Sequence, residues 1–152
     1  MYPGSTMRWP PSVREKLPES VVTKDIWTER FEDIVAFERH LARNGTVVLK
    51  FFLHVSRAEQ RRRFLERLDK PAKNWKFSAA DLAERQRWDA YMAAYEEMIR
   101  HTATPDAPWY VVPADHNWVR NLAVAKILLQ AMKEIDPQFP PPEPGIKDIK
   151  IV

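Results

Sequence analysis

Within residues 57–77, Arg57, Arg61, Arg62, Arg63, Arg67, Lys70, Lys73 and Lys76 stand against only Glu59, Glu66 and Asp69. Arginine offers two oxygens of a phosphate a rigid fork and lysine supplies a movable point charge, so a cluster of this kind suits a phosphorylated or polyanionic ligand. The tightest set is Arg63, Arg67, Lys73 and Lys76. Arg57, Arg61 and Arg62 read equally well as a solvated face. The whole chain carries a net charge of only +3, so the placement of charge is more informative than its sum.

Other chemistries find little support. His40, His54, His101 and His116 are not spaced as HExxH or as any close pair, which argues against a zinc site. With no cysteine there is neither a disulfide framework nor a thiolate centre, and no GxSxG occurs. The only glycines are Gly4, Gly45 and Gly145, so the chain contains no glycine-rich phosphate loop and no GxxxxGK.

The elements that must position the basic residues follow from periodicity. At 152 residues and 45% hydrophobic content the chain predicts one domain with a sizeable core. Without a secretory signal or an apolar run near the roughly 20 residues that span a bilayer, a cytoplasmic protein is expected. Residues 1–26 read as an irregular leader broken by Pro3, Pro10, Pro11 and Pro18, with one helical turn near residues 12–17. Trp9 and Trp27 bracket this leader, which either packs over the domain or begins with an extraneous stretch at residues 1–7. A first helix starts near Trp27 or Phe31, runs through Ile34, Phe37, Glu38 and Leu41, and stops at Asn44 and Gly45.

Residues 46–55 form an almost continuous apolar and β-branched run, as in a parallel strand covered on both faces. Lys50 interrupts it and would either snorkel from an edge or lie beside an active crevice. Ser56 caps a helix running to about Leu68, with Glu59 completing a capping box. The strand therefore delivers its C-terminal end, where ligands sit in open α/β sheets, straight into the basic segment. Residues 72–78 read as a loop anchored by Trp75 and Phe77.

A third helix begins at Ser78 or Asp81 and continues to residues 102–105, with Leu82, Arg85, Trp88, Tyr91, Met92 and Tyr95 on one face. Arg85 and Asp89, four apart, either pair with each other or belong to a site. Residues 108–114 predict a second buried strand, and Asp115 or Asn117 caps a last helix ending at Asp136 and Pro137. The domain spans residues 27–136, and residues 137–152 form a proline-rich, extended tail.

The signatures KNWKFS, WDAY and APWYVVPADHNW, set within residues 27–136, closely resemble the C-terminal half of polyphosphate kinase 2 family phosphotransferases. The resemblance implies an α/β fold, part of a P-loop kinase, mostly helical by residue count. It implies phosphoryl transfer between inorganic polyphosphate and a nucleoside mono- or diphosphate, with Mg2+ as the intact enzyme's cofactor. Residues 57–77 then resemble the family's mobile lid. Arg63 and Arg67 would face phosphates, Lys73 and Lys76 would close over the polyphosphate, and Arg85 and Asp89 would be polar residues beside the lid. Asp115, His116 and Asn117 resemble the loop on the nucleotide side.

Against the family pattern the chain lacks the Walker A and Walker B segments, so no complete catalytic set and no tightly held metal are expected in it. The expectation is a truncated, C-terminal portion, inactive alone. Residues 46–55 would lie beside a missing first strand. They would present an edge to a second copy or to a complementary N-terminal half. The alternative is a non-catalytic module that binds polyphosphate or nucleic acid.

Overall fold

The computed structural model describes residues 23–146. The turn expected near residues 12–17, Trp9 and the last six residues lie outside that range. Five α-helices and two strands follow in the order α1 (Ile26–Arg43), β1 (Lys50–His54), α2 (Arg57–Asp69), α3 (Ala79–Gln86), α4 (Trp88–Thr102), β2 (Trp109–Pro113) and α5 (Asn117–Ile135). A 3-10 helix, Pro71–Lys76, joins α2 to α3. The class is α/β, mostly helical. No described helix is long and apolar enough to cross a membrane.

The stop of α1 is set by its last residues. Gly45 adopts φ +82, the left-handed conformation that favours glycine. This lets the Gly45 amide donate to the Ala42 carbonyl and the Thr46 amide to the Leu41 carbonyl, the paired bonds of a Schellman ending. The strand that follows is shorter than residues 46–55. β1 and β2 pair in parallel from Lys50 opposite Trp109 to His54 opposite Pro113. Before Pro108 the backbone leading into β2 doubles back through mutual amide-to-carbonyl bonds between Thr104 and Ala107, so residues 46–49 find no strand partner among the described residues.

Nor is the strand covered on both faces. Leu53 is 45% exposed and Val111 59%, whereas Val112 is buried. Among the described residues the sealed interior is small: Ala94, Ala107, Val112 and Ala114, with the polar Glu38 and Thr102. A two-stranded sheet is too narrow a platform to close over the large apolar residues of α1 and α5, and Phe37 and Trp118 stand mostly in solvent. The sizeable core expected from composition is therefore not assembled by these residues.

Lys50 does not snorkel. Its ammonium lies 2.6 Å from the Glu38 carboxylate of α1 and 2.6 Å from the Thr102 carbonyl of α4, over the Trp109 ring of β2. One buried cation thus ties four elements together.

The single helix expected after Ser78 is two. Ser78 caps α3 with a full capping box to Asp81, and the backbone breaks at Arg87. Neither Pro nor Gly lies there. The bend lets α3 send Arg85 onto α2 while α4 turns Tyr95 against Phe52 of β1. Tyr91 donates to Glu84 across the break, and that carboxylate pushes the phenol upward from its ordinary value.

Candidate functional site

The basic segment is built as a helix followed by a tight turn. Ser56 accepts the Glu59 amide, as expected of a cap. The other half of the capping box is not made. The Ser56 amide instead donates to Asp115 Oδ1 at 2.7 Å, and Glu59 turns its carboxylate toward Arg62 and Arg63. Asp115 sits on the loop after β2, so the exchange fastens the start of α2 to the far strand. That bond from the Ser56 backbone, with the Ser56 hydroxyl second, holds the Asp115 carboxyl below its ordinary range.

Residues 71–76 coil into a 3-10 helix where a loop was expected. Asn74 is the reason: its side-chain amide donates to the Arg67 and Leu68 carbonyls, capping α2 while folding the chain back along it. Phe77 packs edge-on against Phe64 with ring centres 5.5 Å apart, and so anchors the turn as expected. Trp75 does not, being 79% exposed.

This fold-back encloses a cleft of about 390 Å³ between α2, the 3-10 helix and the first turn of α5. Its walls are Arg62, Arg63, Arg67, Lys73, Lys76 and Arg120, with Asn117 and the single carboxylate Glu66. The cations differ in how far they are already engaged. Arg63 bonds Glu59 through Nε and sends Nη2 to the carbonyls of Ala114 and Asp115 at 2.8 and 3.2 Å, so it ties α2 to the end of β2. Lys73 shares Glu66 with Lys70. Arg67 lies over Phe64, Lys76 over Trp75, and Arg120 against Asn121. Among the described residues those three meet no carboxylate, so their charge is available to a ligand.

Of the remaining sequence candidates only Asn117 lines the cleft; Arg85, Asp89, Asp115 and His116 lie apart from its walls. Arg85 donates to the Arg57 carbonyl and to Gln60, bordering a separate hollow of about 440 Å³ lined by Phe52, Phe64, Trp88, Tyr91 and Tyr95. It does not pair with Asp89, which is exposed in the first turn of α4. Asp115 and His116 precede α5, and Asn117 begins it. Arg120 was missed by sequence reasoning. A lone arginine on an amphipathic helix gives no signal of its own, although its place one turn beyond Asn117 does put both on one face.

The ion pairs set a pH dependence. Hydrogen bonds from Arg62 and then Arg63 lower Glu59 from 4.5 to about 2, and those from Lys70 and then Lys73 do the same for Glu66. A carboxylate depressed in the folded state contributes fully above its unfolded value and loses that contribution as pH falls through the folded one. Residues 57–76 are therefore expected to keep their order from pH 8 to about 4.5 and to loosen between about 4.5 and 2. Side-chain carboxyl carbon shifts of Glu59 and Glu66 would check this. Midpoints at 4 or above would mean that the pairs are not formed.

Comparison with known proteins adds four relations. The family described as Polyphosphate kinase 2 (PPK2) matches residues 14–140. The AMP/ADP-polyphosphate phosphotransferase of Meiothermus ruber is 48% identical over 133 residues, 88% of this chain and 50% of that protein. An uncharacterized protein in the chlN 3' region of Leptolyngbya boryana is 50% identical over 115 residues, which are 76% of this chain and 85% of the other. The crystal structure of Polyphosphate Kinase 2 from Arthrobacter aurescens TC1 superposes with a TM-score of 0.79 at 37% identity, covering 85% of this chain and 46% of that one. The chain thus spans about half the length of the phosphotransferase and of the solved kinase, and its architecture is part of that P-loop-kinase-like α/β fold.

Proposed function

The chain belongs to the polyphosphate kinase 2 family, and from that premise we propose that it supplies the part of a polyphosphate:nucleotide phosphotransferase that grips the phosphate chain. The observation that carries this reading is the cationic cleft: six basic side chains from three elements face one carboxylate. Phosphoryl transfer needs alignment and charge stabilisation more than covalent help. Arg67, Lys76 and Arg120 are the direct phosphate ligands in this reading. Lys73 joins them by leaving Glu66, and Arg63 positions α2. Asn117, with Asp115 and His116 just before it, takes the nucleotide side in this reading. Arg85 braces α2 from the side through the Arg57 carbonyl and Gln60, and Asp89 stands beside the lid on α4.

The cleft is not suited to magnesium. Glu66, its one carboxylate, is already held by two lysines, and among the described residues no three His, Asp or Glu gather as a metal site. A metal would therefore act through phosphates and carboxylates brought from another half. The 152 residues hold no GxxxxGK, so the chain alone binds without turnover. β1 pairs only with β2 among the described residues, and its other edge is the place for a P-loop strand.

Mixing the chain with a P-loop-bearing N-terminal fragment of a family member is expected to produce polyphosphate-dependent phosphorylation of AMP or ADP. A stable complex of the two that stays inactive would count against the catalytic part of the proposal. Retained polyphosphate binding would then favour the non-catalytic module. Equal affinity for a single-stranded oligonucleotide of matched charge would make it a general polyanion binder.

A further inference from the structure

Trp75 is the feature that the phosphate-gripping role does not use. It projects from the 3-10 helix with 79% of its surface exposed, although that helix is firmly held. Asn74 beside it bonds two α2 carbonyls, Lys73 bonds Glu66, and Phe77 packs on Phe64. A large indole is thus displayed on a pinned support. Lys73, two residues before it, and Lys76, directly after it, both line the cleft. Lys76 also places its ammonium 5.0 Å from the centre of the indole ring, so one residue belongs to the cleft and touches the tryptophan.

We propose that Trp75 is a stacking platform for the base of a nucleoside phosphate whose phosphates lie in the cationic cleft. An aromatic face at the rim of a basic groove is the arrangement by which proteins hold bases beside a phosphate backbone, because every base presents a π-face. Inorganic polyphosphate, which has no ring, gains nothing from it. Trp75 therefore separates the two substrate classes of one cleft: both share the lysines and arginines, and only the nucleotide uses the indole. This rests on the proposed function for the identity of the anion, and it adds a residue that distinguishes nucleotide from polyphosphate.

The test uses the full chain with ADP, pyrophosphate and inorganic polyphosphate as probes, in Trp75→Ala and Trp75→Phe variants. ADP is expected to bind more tightly than pyrophosphate and to quench tryptophan emission, a quench missing from Trp75→Phe. Trp75→Ala should weaken ADP about tenfold while leaving pyrophosphate and polyphosphate unchanged, and Trp75→Phe should retain most ADP affinity because a ring remains. Circular dichroism should be the same for all three proteins, since the side chain is outside the core. The inference is overturned if Trp75→Ala leaves ADP binding intact, if it weakens pyrophosphate equally, or if wild type does not prefer ADP. Failure of wild type to bind polyphosphate would instead remove the proposed function itself.

Discussion

Lys50→Ala is expected to lower the stability of the fold by about 3–5 kcal/mol, the cost of leaving one member of a buried ion pair alone. The side chains of Lys50 and Glu38 are each only 11% exposed, so solvent cannot take over the lost interaction. The change would strand two acceptors, the Glu38 carboxylate and the Thr102 carbonyl, and Thr102 is 1% exposed. It would also remove the cation from the Trp109 ring, whose indole N–H donates to the Thr102 hydroxyl. A domain of this size has about 5–15 kcal/mol to lose, so the variant should give up a large share of its stability. Replacing both partners, with Lys50→Met and Glu38→Leu together, should recover most of the loss, because an apolar pair carries no desolvation penalty. Urea denaturation at constant m-value reads both results. A single variant that loses less than about 1 kcal/mol would place the pair in the screened, surface class.

That pair also marks the limit of what the chain reveals when read alone. Where the signal is local, the reading holds: Asn44 and Gly45 end α1, Ser56 caps α2, and the stop at Asp136 closes α5. Each of these depends on groups within a few residues of one another. Lys50 could be seen to interrupt a strand, but its partners lie 12 and 52 residues away, and no periodicity connects them.

Glu59 illustrates the same limit from the other side. Its position predicts a capping box, yet two nearby arginines and the distant Asp115 compete for the same groups and win. The break at Arg87 escapes notice because it comes from what α3 and α4 touch rather than from a breaking residue. Of the site, the charges of Arg63, Arg67, Lys73 and Lys76 were legible as a cluster. Their division of labour was not, because it depends on which carboxylates and carbonyls fold within reach of each.

That division yields the second large effect. In the double variant Arg67→Ala, Lys76→Ala, polyphosphate affinity is expected to fall by at least about 100-fold, since each charge-assisted contact is worth about 1.5–3 kcal/mol and neither side chain is neutralised beforehand. The slope of log affinity against log salt should flatten by roughly 1 to 2, the signature of lost phosphate contacts. Stability should change little, because neither residue meets a carboxylate among the described residues.

Arg63→Ala should show the opposite balance. It releases the tie from α2 to the Ala114 and Asp115 carbonyls, so it should lower the unfolding midpoint while leaving the salt slope nearly unchanged. Glu66→Gln removes the cleft's one negative charge and frees Lys70 and Lys73, and polyphosphate should bind more tightly to it than to wild type. Equilibrium titration at three salt concentrations distinguishes these outcomes. If the double variant binds as well as wild type while Arg63→Ala does not, the phosphate chain lies along the β2 end of α2, and Arg63 is its direct ligand. If all four proteins bind alike, the cleft is not where the anion rests.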